Sequence, residues 1–372
     1  MNKSKTLFLT LKVFSATGGI EKVCRVAGKA LYESSIVNNS CVQIFSMYDS
    51  DKEAYENKYF PSEIFKGFGT RKIRFIFSSI KAARKVDTII LSHINLLLVG
   101  WLIKKLFPKK RLILFAHGIE IWGGLDIRKR NMLKSCDIFF PVSHFTSTKI
   151  QQIQKVNADK CIVLNNCLDP FMQLGNELIG NNSLREKYGY KNNDQILFTL
   201  TRLSSKERYK GYDRVLNALV KVKETHPDVK YLIAGRYDEL EKKYLFEIAE
   251  KLGLKDSFKL AGFISDEELV AHFRMANLYV MPSMKEGFGI VFIEAMYYGL
   301  PVVAGNLDGS VDALCNGKLG LLVNPEDTSA IEAALINIMD NGSTFVPDRE
   351  LLMSSFSYES YKKKLESALL YN

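Results

Sequence analysis

Short apolar runs alternate with longer segments whose apolar residues recur every three or four positions, almost from one end of the chain to the other. Thr6–Leu11 is a compact apolar run, and Ile20–Tyr32 follows with Val23, Val26, Ala27, Ala30 and Leu31 on one helical face. The same alternation predicts strands over Cys41–Phe45, Thr88–Leu91, Leu112–Phe115, Ile138–Val142 and Cys161–Leu164, with helices over Lys72–Arg84 and Leu96–Leu106. Between Asn165 and Asp194 the pattern gives way to a polar stretch holding several Asn and Gly residues, which predicts an interdomain linker. Strands then resume over Gln195–Thr201, Val229–Ala234, Phe258–Leu260, Leu278–Met281, Pro301–Ala304 and Leu321–Val323. Helical spacing separates them over Tyr212–Glu224, Leu240–Leu252, Asp266–Met275 and Ile290–Tyr298, and a last amphipathic helix is predicted over Tyr358–Leu370. Such alternation predicts parallel sheets with helices on both faces. The expected fold class is α/β, with two doubly wound, Rossmann-like domains, residues 1–180 and residues 190–355. Ligands of such sheets bind outside the carboxyl ends of the strands. Two sheets facing each other would therefore place the active site in the cleft between them.

Length and composition fit this division: 372 residues suit two domains, and 47% hydrophobic with 25% charged residues is the balance of a soluble protein with a sizeable core. Met1–Lys5 is polar and Leu7–Leu11 is a short run closed by Lys12, so no signal peptide is read. The longest apolar stretch, Thr88–Ile103, contains Ser92, His93 and Asn95 and falls short of the roughly 20 apolar residues that a bilayer requires. Six scattered cysteines (24, 41, 136, 161, 167 and 315), none in C-x-x-C spacing, suggest reduced core thiols and a cytoplasmic protein. Charge is uneven. Residues 1–190 carry 29 Lys and Arg against 15 Asp and Glu, and Arg71–Arg111 alone holds eleven basic residues and one acidic residue, Asp87. Phe75, Phe77, Trp101 and Phe107 interleave with these charges, the mix used by interfacial helices, so peripheral contact with the inner face of a membrane is expected of the first domain. No stacking or recognition motif accompanies the basic residues, which argues against a nucleic-acid partner.

Four segments carry candidate chemistry. In Pro282–Met296 a strand ends, glycines follow and a helix begins near Gly289, a design that presents amide N–H groups and a helix dipole to an anion. Glu286 and Glu294 bracket it, and carboxylates beside an anion site make sense as acceptors for hydroxyls. Thr201–Tyr212 follows the first strand of the second domain and supplies Arg202, Lys206, Arg208 and Lys210. Fixed cations there would stabilise a phosphate leaving group, and the residue types alone leave open which two of the four do so. Thr17–Val23 places Gly18 and Gly19 between a strand and a helix. Phe115–Glu120 ends a strand with His117 and Gly118, where Glu120 is a weaker candidate. Asp49-Ser50-Asp51 reads as D-x-D, a metal-binding pattern, but it lies in a polar loop away from these segments.

The segment from Glu286 to Glu294 resembles the E-x7-E motif of glycosyltransferase family 4, a retaining family of the GT-B fold. The resemblance implies that Glu286 contacts the transferred sugar and Glu294 the ribose, while Gly287, Phe288, Gly289, Ile290 and Val291 present amides to the diphosphate and sugar. Arg202-Leu203 with Lys210-Gly211 is similar to the family's R-L…K-G motif, which makes Arg202 and Lys210 the phosphate-binding pair. Gly18-Gly19-Ile20-Glu21 looks like the family's G-G-[IM]-E signature, a loop turned towards the donor diphosphate. His117 matches a His-Gly placed next to the donor sugar. Leu260–Ile264, with Gly262 and Phe263, resembles the segment that meets the nucleotide base. Gly235 sits at a matching strand end, although Ala234-Gly235-Arg236 departs from the commoner G-x-G-P pattern, and Asp312 stands where Glu is commoner. The resemblance also implies that a helix at 356–372 crosses back onto the first domain. It spans nearly the whole chain and is strongest over residues 201–325.

The activity so implied is metal-independent transfer of a hexose or N-acetylhexosamine from a UDP- or GDP-sugar, a co-substrate and not a cofactor, to a glycan or lipid-linked acceptor of a surface polysaccharide or lipopolysaccharide. His117, Arg202, Lys210 and Glu286 would be the catalytic residues. Two other classes stay open on sequence grounds: a nucleotide-sugar epimerase, also built of two Rossmann-like domains, and a non-catalytic protein of the same fold.

Overall fold

The apolar runs become the interiors of two sheets. The computed structural model describes residues 5–172 and 181–370. The first sheet has six strands: β1 (Thr6–Thr10), β2 (Val42–Ser46), β3 (Phe65–Gly67), β4 (Thr88–Leu91), β5 (Arg111–Ala116) and β6 (Ile138–Pro141), in the order β3-β2-β1-β4-β5-β6. The second has β7 (Gln195–Leu200), β8 (Val229–Ala234), β9 (Phe258–Gly262), β10 (Leu278–Met281), β11 (Val302–Gly305) and β12 (Leu321–Val323), in the order β12-β11-β10-β7-β8-β9. Every pairing is parallel. Parallel strands need helical crossovers that cover both faces, so their residues are apolar without alternation: Leu7, Phe8 and Leu9 of β1 and Ile196, Leu197 and Phe198 of β7 are all buried.

The chain divides into two compact units, Met1–Pro170 with Ser357–Asn372, and Phe171–Phe356. In the first, the final helix Tyr358–Leu370 packs on helix Gly19–Val37. Ser34 donates to Glu366 at 2.6 Å, and Tyr358 and Lys362 both donate to Glu33, at 2.8 and 2.9 Å. Each unit has its own apolar core around its sheet.

Some sequence expectations are corrected. Cys161–Leu164 is not a strand: it meets β6 through one bridge, Phe139 to Cys161, although Ile162 and Leu164 donate to Phe139 and Pro141 carbonyls. The ladder stops there because its next rung needs an N–H from Pro141, which has none. The stretch 165–194, read as linker, contains helix Asn181–Lys187, and residues 173–180 of it lie outside the described residues. Of the aromatics thought to interleave with surface charge, Phe75 is buried and Phe107 packs against the core, whereas Phe77 is exposed. Cys24, Cys136 and Cys167 are buried, but Cys41 is exposed and does not belong to the core.

Candidate active site

In each sheet the strand order reverses once, and the loops at that reversal carry the candidate residues. In the second unit the chain runs from β7 outward to β8 and β9, then returns to place β10 on the other side of β7. The loops after β7 and β10 therefore diverge from adjacent strands, the switch point at which doubly wound sheets open a crevice. One loop ends in Lys210-Gly211 and the other begins Pro282-Ser283.

These two loops are held together closely. Met284 N–H donates to the Tyr209 carbonyl at 2.9 Å. Gly211 adopts φ +80° and a Cβ there would stand 2.3 Å from the Pro282 carbonyl oxygen, so neither its conformation nor its surroundings accept a side chain. The approach brings the Lys210 ammonium into an ion pair with the Glu286 carboxylate, both largely shielded. Burial opposes the charge on Lys210, but Glu286 overrides it and holds the ammonium above its ordinary range. The Tyr209 ring lies beside both Lys210 and Lys285, at 5.6 and 5.7 Å from ring centre to Nζ.

A third loop, after β11, fixes Glu286 from the other side. Asp308, 1% exposed, accepts from the Glu286 N–H at 2.6 Å with one oxygen and from the Ser310 N–H at 2.9 Å with the other. Gly309 N–H donates to the Glu286 carbonyl at 2.9 Å. Burial pushes the Asp308 carboxyl up to about 6. In this segment the sequence pattern singles out Asp312, not Asp308. Its one local signal is the Asp-x-Ser spacing of a side chain that accepts the amide two residues on.

Past Glu286, Gly287 and Phe288 lead to Gly289, whose φ of +83° caps helix Ile290–Tyr297. The first-turn amides of a helix lack internal acceptors, and here they are those of Ile290 and Val291. Phe288 is buried and lies 5.5 Å, ring to ring, from Phe356, which anchors the loop. Glu294 lies inside the helix and is 4% exposed. Beside β7, Gly235 ends β8 with φ +134°, and a Cβ there would be 1.8 Å from the Thr201 carbonyl oxygen. Its N–H donates to the Gly262 carbonyl at 2.7 Å, and the next residue, Phe263, is exposed with the Arg236 guanidinium 4.8 Å over its ring.

Three of the four cations of the Thr201–Tyr212 loop are sorted by their partners. Arg208 pairs with Glu241, which is fully buried on helix Glu239–Lys251 and also accepts from Tyr212 OH at 2.8 Å, and the guanidinium lies 3.4 Å over the Tyr244 ring. That makes Arg208 a structural residue. Arg202 is exposed and pairs with Glu207 within its own loop. Lys210 faces Glu286.

In the first unit the reversal falls between β1 and β4. The loop after β1 ends at Gly18, the N-cap of helix Gly19–Val37. Asp49 shapes that loop: it is fully buried and accepts from Val13 N–H at 2.6 Å, Ser15 N–H at 2.9 Å and Ser46 Oγ at 2.6 Å. Asp51 accepts from Gly67 N–H at 2.8 Å. The D-x-D pattern thus consists of two loop-organising carboxylates. His117, after β5, reaches the loop after β4: its Nε2 lies 2.7 Å from the Ser92 carbonyl, and Glu120 accepts from the His117 N–H at 2.6 Å. Next to Ser92 sits His93, whose imidazole burial holds below its ordinary value. His93 was not a sequence candidate, although its place at the end of β4 beside the reversal was a signal.

Residues 181–353 match the family model described as Glycosyl transferases group 1. The chain is 33% identical over 163 residues to the GDP-mannose-dependent alpha-(1-6)-phosphatidylinositol monomannoside mannosyltransferase of Mycolicibacterium smegmatis, covering 42% of this chain and 41% of that protein. It is 34% identical over 167 residues to the D-inositol 3-phosphate glycosyltransferase of Corynebacterium urealyticum, covering 43% and 39%. The matches thus span about two fifths of these relatives' own length. Among solved structures, Anabaena HepE in complex with UDP and glucose superposes with a TM-score of 0.80 at 20% identity, over 99% of this chain and 100% of that one. The sucrose-phosphate synthase of Thermosynechococcus elongatus gives 0.74 at 19%, over 99% and 98%. At such identities the likeness concerns the fold, two Rossmann-like α/β units of GT-B type. Residues 181–353, the segment that matches the group 1 glycosyl transferase model, are those that hold the switch-point loops and the glycine-capped helix.

Proposed function

We propose that this protein is a retaining glycosyltransferase that moves a hexose or N-acetylhexosamine from a UDP- or GDP-sugar to a glycan or lipid-linked acceptor in surface polysaccharide or glycoconjugate synthesis. One observation carries the reading: the β7/β10 switch point gathers Lys210, Glu286 and the amide start of helix Ile290–Tyr297 on loops that glycines hold in contact. A cation, a row of uncovered amides and a carboxylate are what a sugar diphosphate needs at its phosphates and at a sugar hydroxyl. The relatives support the donor class, since one is named for GDP-mannose and HepE holds UDP-glucose in another of its structures.

In this reading the diphosphate takes Lys210, Arg202 and the amides of Gly287 to Val291, and Glu286 turns to a sugar hydroxyl while Glu294 takes the ribose. As the bond from the anomeric carbon to the phosphate oxygen breaks, charge grows on the leaving phosphate, and these fixed donors stabilise it without a metal ion. The acceptor hydroxyl attacks the sugar on the face that the phosphate leaves, and the leaving phosphate oxygen takes its proton. Within the first unit, His117 is the catalytic candidate, its ring at the Ser92 carbonyl and its N–H donating to Glu120.

The test is incubation with a panel of UDP- and GDP-sugars, with and without glycan and lipid-linked acceptors, followed by nucleotide release and the anomeric configuration of the product. Acceptor-dependent release with retained configuration, unchanged by a chelator, is expected. Acceptor-independent interconversion of the nucleotide sugar, or an inverted product, would overturn the reading.

A further inference from the structure

The first unit presents two helical faces of different chemistry. β1 to β2 moves one way along the sheet, whereas β3 to β4, β4 to β5 and β5 to β6 move the other way. Right-handed crossovers therefore put helix Gly19–Val37 on one face and helices Lys72–Ala83, Leu97–Leu106 and Ile127–Leu133 on the opposite one. The contacts agree: the second of these three helices packs against the first and the third, while Gly19–Val37 packs against Tyr358–Leu370.

The Gly19–Val37 and Tyr358–Leu370 face mixes both signs of charge, and Glu33 bonds to Lys29 and Lys362 there. The three-helix face carries eight Lys and Arg side chains and no Asp or Glu. One of the eight, Lys104, is paired, with Asp137 outside the helices. The same layer exposes apolar side chains. Ile73 and Phe77, one helical turn apart, are 73% and 70% exposed, and Leu98, Leu106 and Ile127 are exposed on the neighbouring helices. Lys105 lies with its ammonium 5.9 Å from the Trp101 ring centre, a cationic head beside an apolar plane.

A polyanion in solution, such as a nucleic acid, would match the cations but would leave Ile73 and Phe77 in water. An apolar protein partner would match those two but not the basic side chains around them. Only the interface of an anionic bilayer offers negative headgroups and acyl chain at one surface. We infer that the layer Lys72–Ala83, Leu97–Leu106 and Ile127–Leu133 docks on an anionic membrane surface, with Ile73 and Phe77 entering the interface and the basic residues lying among the headgroups. The inference concerns the first unit and stands apart from the transferase reading. Its test needs no sugar nucleotide.

The full chain is co-sedimented with vesicles of phosphatidylcholine alone and of phosphatidylcholine with about 30% phosphatidylglycerol, an anionic leaflet of the kind that attracts basic segments. Binding is expected to the anionic vesicles alone, weakened at least about tenfold in molar salt, where the Debye length shrinks to about 3 Å. Ile73→Ser with Phe77→Ser is expected to lower binding at least about fivefold, and Arg74→Glu with Lys81→Glu, both on the first helix of the layer, to abolish it. Lys363→Ser, on the opposite face, is expected to change nothing. All these positions are exposed, and a circular-dichroism melt of each variant confirms folding; where one pair fails to fold, the other decides. Equal binding to neutral vesicles, no binding, or full binding by both pairs would overturn the proposal. Capture of heparin or single-stranded DNA without capture of vesicles would overturn it in favour of a soluble polyanion.

Discussion

Replacing Asp308 by Asn tests whether the Glu286 loop is held as the geometry indicates. The side chain keeps its shape, but its two oxygens currently accept two different amides, Glu286 N–H at 2.6 Å and Ser310 N–H at 2.9 Å. An Asn side chain has one acceptor, so whichever way it is turned its NH2 group meets one of those N–H groups. Leaving a buried donor unsatisfied costs about 1–3 kcal/mol. Removing the buried charge acts in the opposite direction. The folded carboxyl sits at about 6 against an ordinary 3.8, so the folded state binds its proton more tightly than the unfolded chain does. That contribution to stability is complete below the unfolded value and is lost as pH rises through the folded one. Between pH 7.5 and pH 5 the native protein gains about 1.4 kcal/mol from this group, and Asn cannot supply it. At about 2–4 °C per kcal/mol for a unit of this size, the melting temperature of the variant should trail the native one by roughly 3–6 °C more at pH 5 than at pH 7.5. Paired thermal melts at the two pH values measure this difference, in which other titrating groups cancel. At neutral pH the two effects on stability largely offset each other, and the disturbed Glu286 loop should show instead as a kcat/KM lowered by roughly tenfold or more. A melting difference independent of pH, or full kcat/KM, would refute the assignment of Asp308 as the residue that positions Glu286.

Other perturbations separate chemistry from support. Lys210→Ala and Glu286→Ala should each lower the transfer rate at least about 100-fold, the scale of losing a charge-stabilising group, and near-normal turnover in either would defeat the site. Arg202→Ala should leave the melting temperature within about 2 °C, because its pair with Glu207 is exposed, while weakening donor affinity in a calorimetric titration. Arg208→Ala should do the reverse. It strands the buried Glu241 carboxylate and should cost about 3 kcal/mol or more, seen as a lowered midpoint in urea unfolding. Gly211→Ala forces a Cβ against the Pro282 carbonyl at a left-handed φ; donor affinity unchanged from the native protein would show that contact between the two loops is not needed.

The fold was legible because parallel strands buried on both faces are written as uninterrupted apolar runs. Thr88–Leu91, Val229–Ala234 and Leu278–Met281 stand where the pattern put them. Helix Thr328–Asn341, absent from the expectations above, is written just as plainly, with Asp327 as its cap and Ile331, Ala334, Leu335 and Ile338 buried at helical spacing. β3 was not legible, since three residues cannot establish a period. Cys161–Leu164 misled because its apolar run is real but its neighbour ends in Pro141. At the site, local glycine and charge patterns located Lys210, Glu286 and the helix start, each within one stretch of chain. They could not rank Arg202 against Arg208, because the residue that decides, Glu241, belongs to another helix.

Asp308 was beyond reach for a related reason. Its partner lies 22 residues away, and the two meet because parallel pairing sets Met281 opposite Ala304 and so brings the ends of β10 and β11 to one level. The register of β4 and β5, with Leu91 opposite Leu114, likewise carries Ser92 to His117. In both units, then, the residues that would touch a ligand sit in motifs readable from neighbouring positions. Those that hold them in place come from the next strand's loop and become visible only once the sheet order is known. Substitutions at the second kind of position should therefore leave the motifs intact and still disable the site, and Asp308→Asn is the mildest such change available.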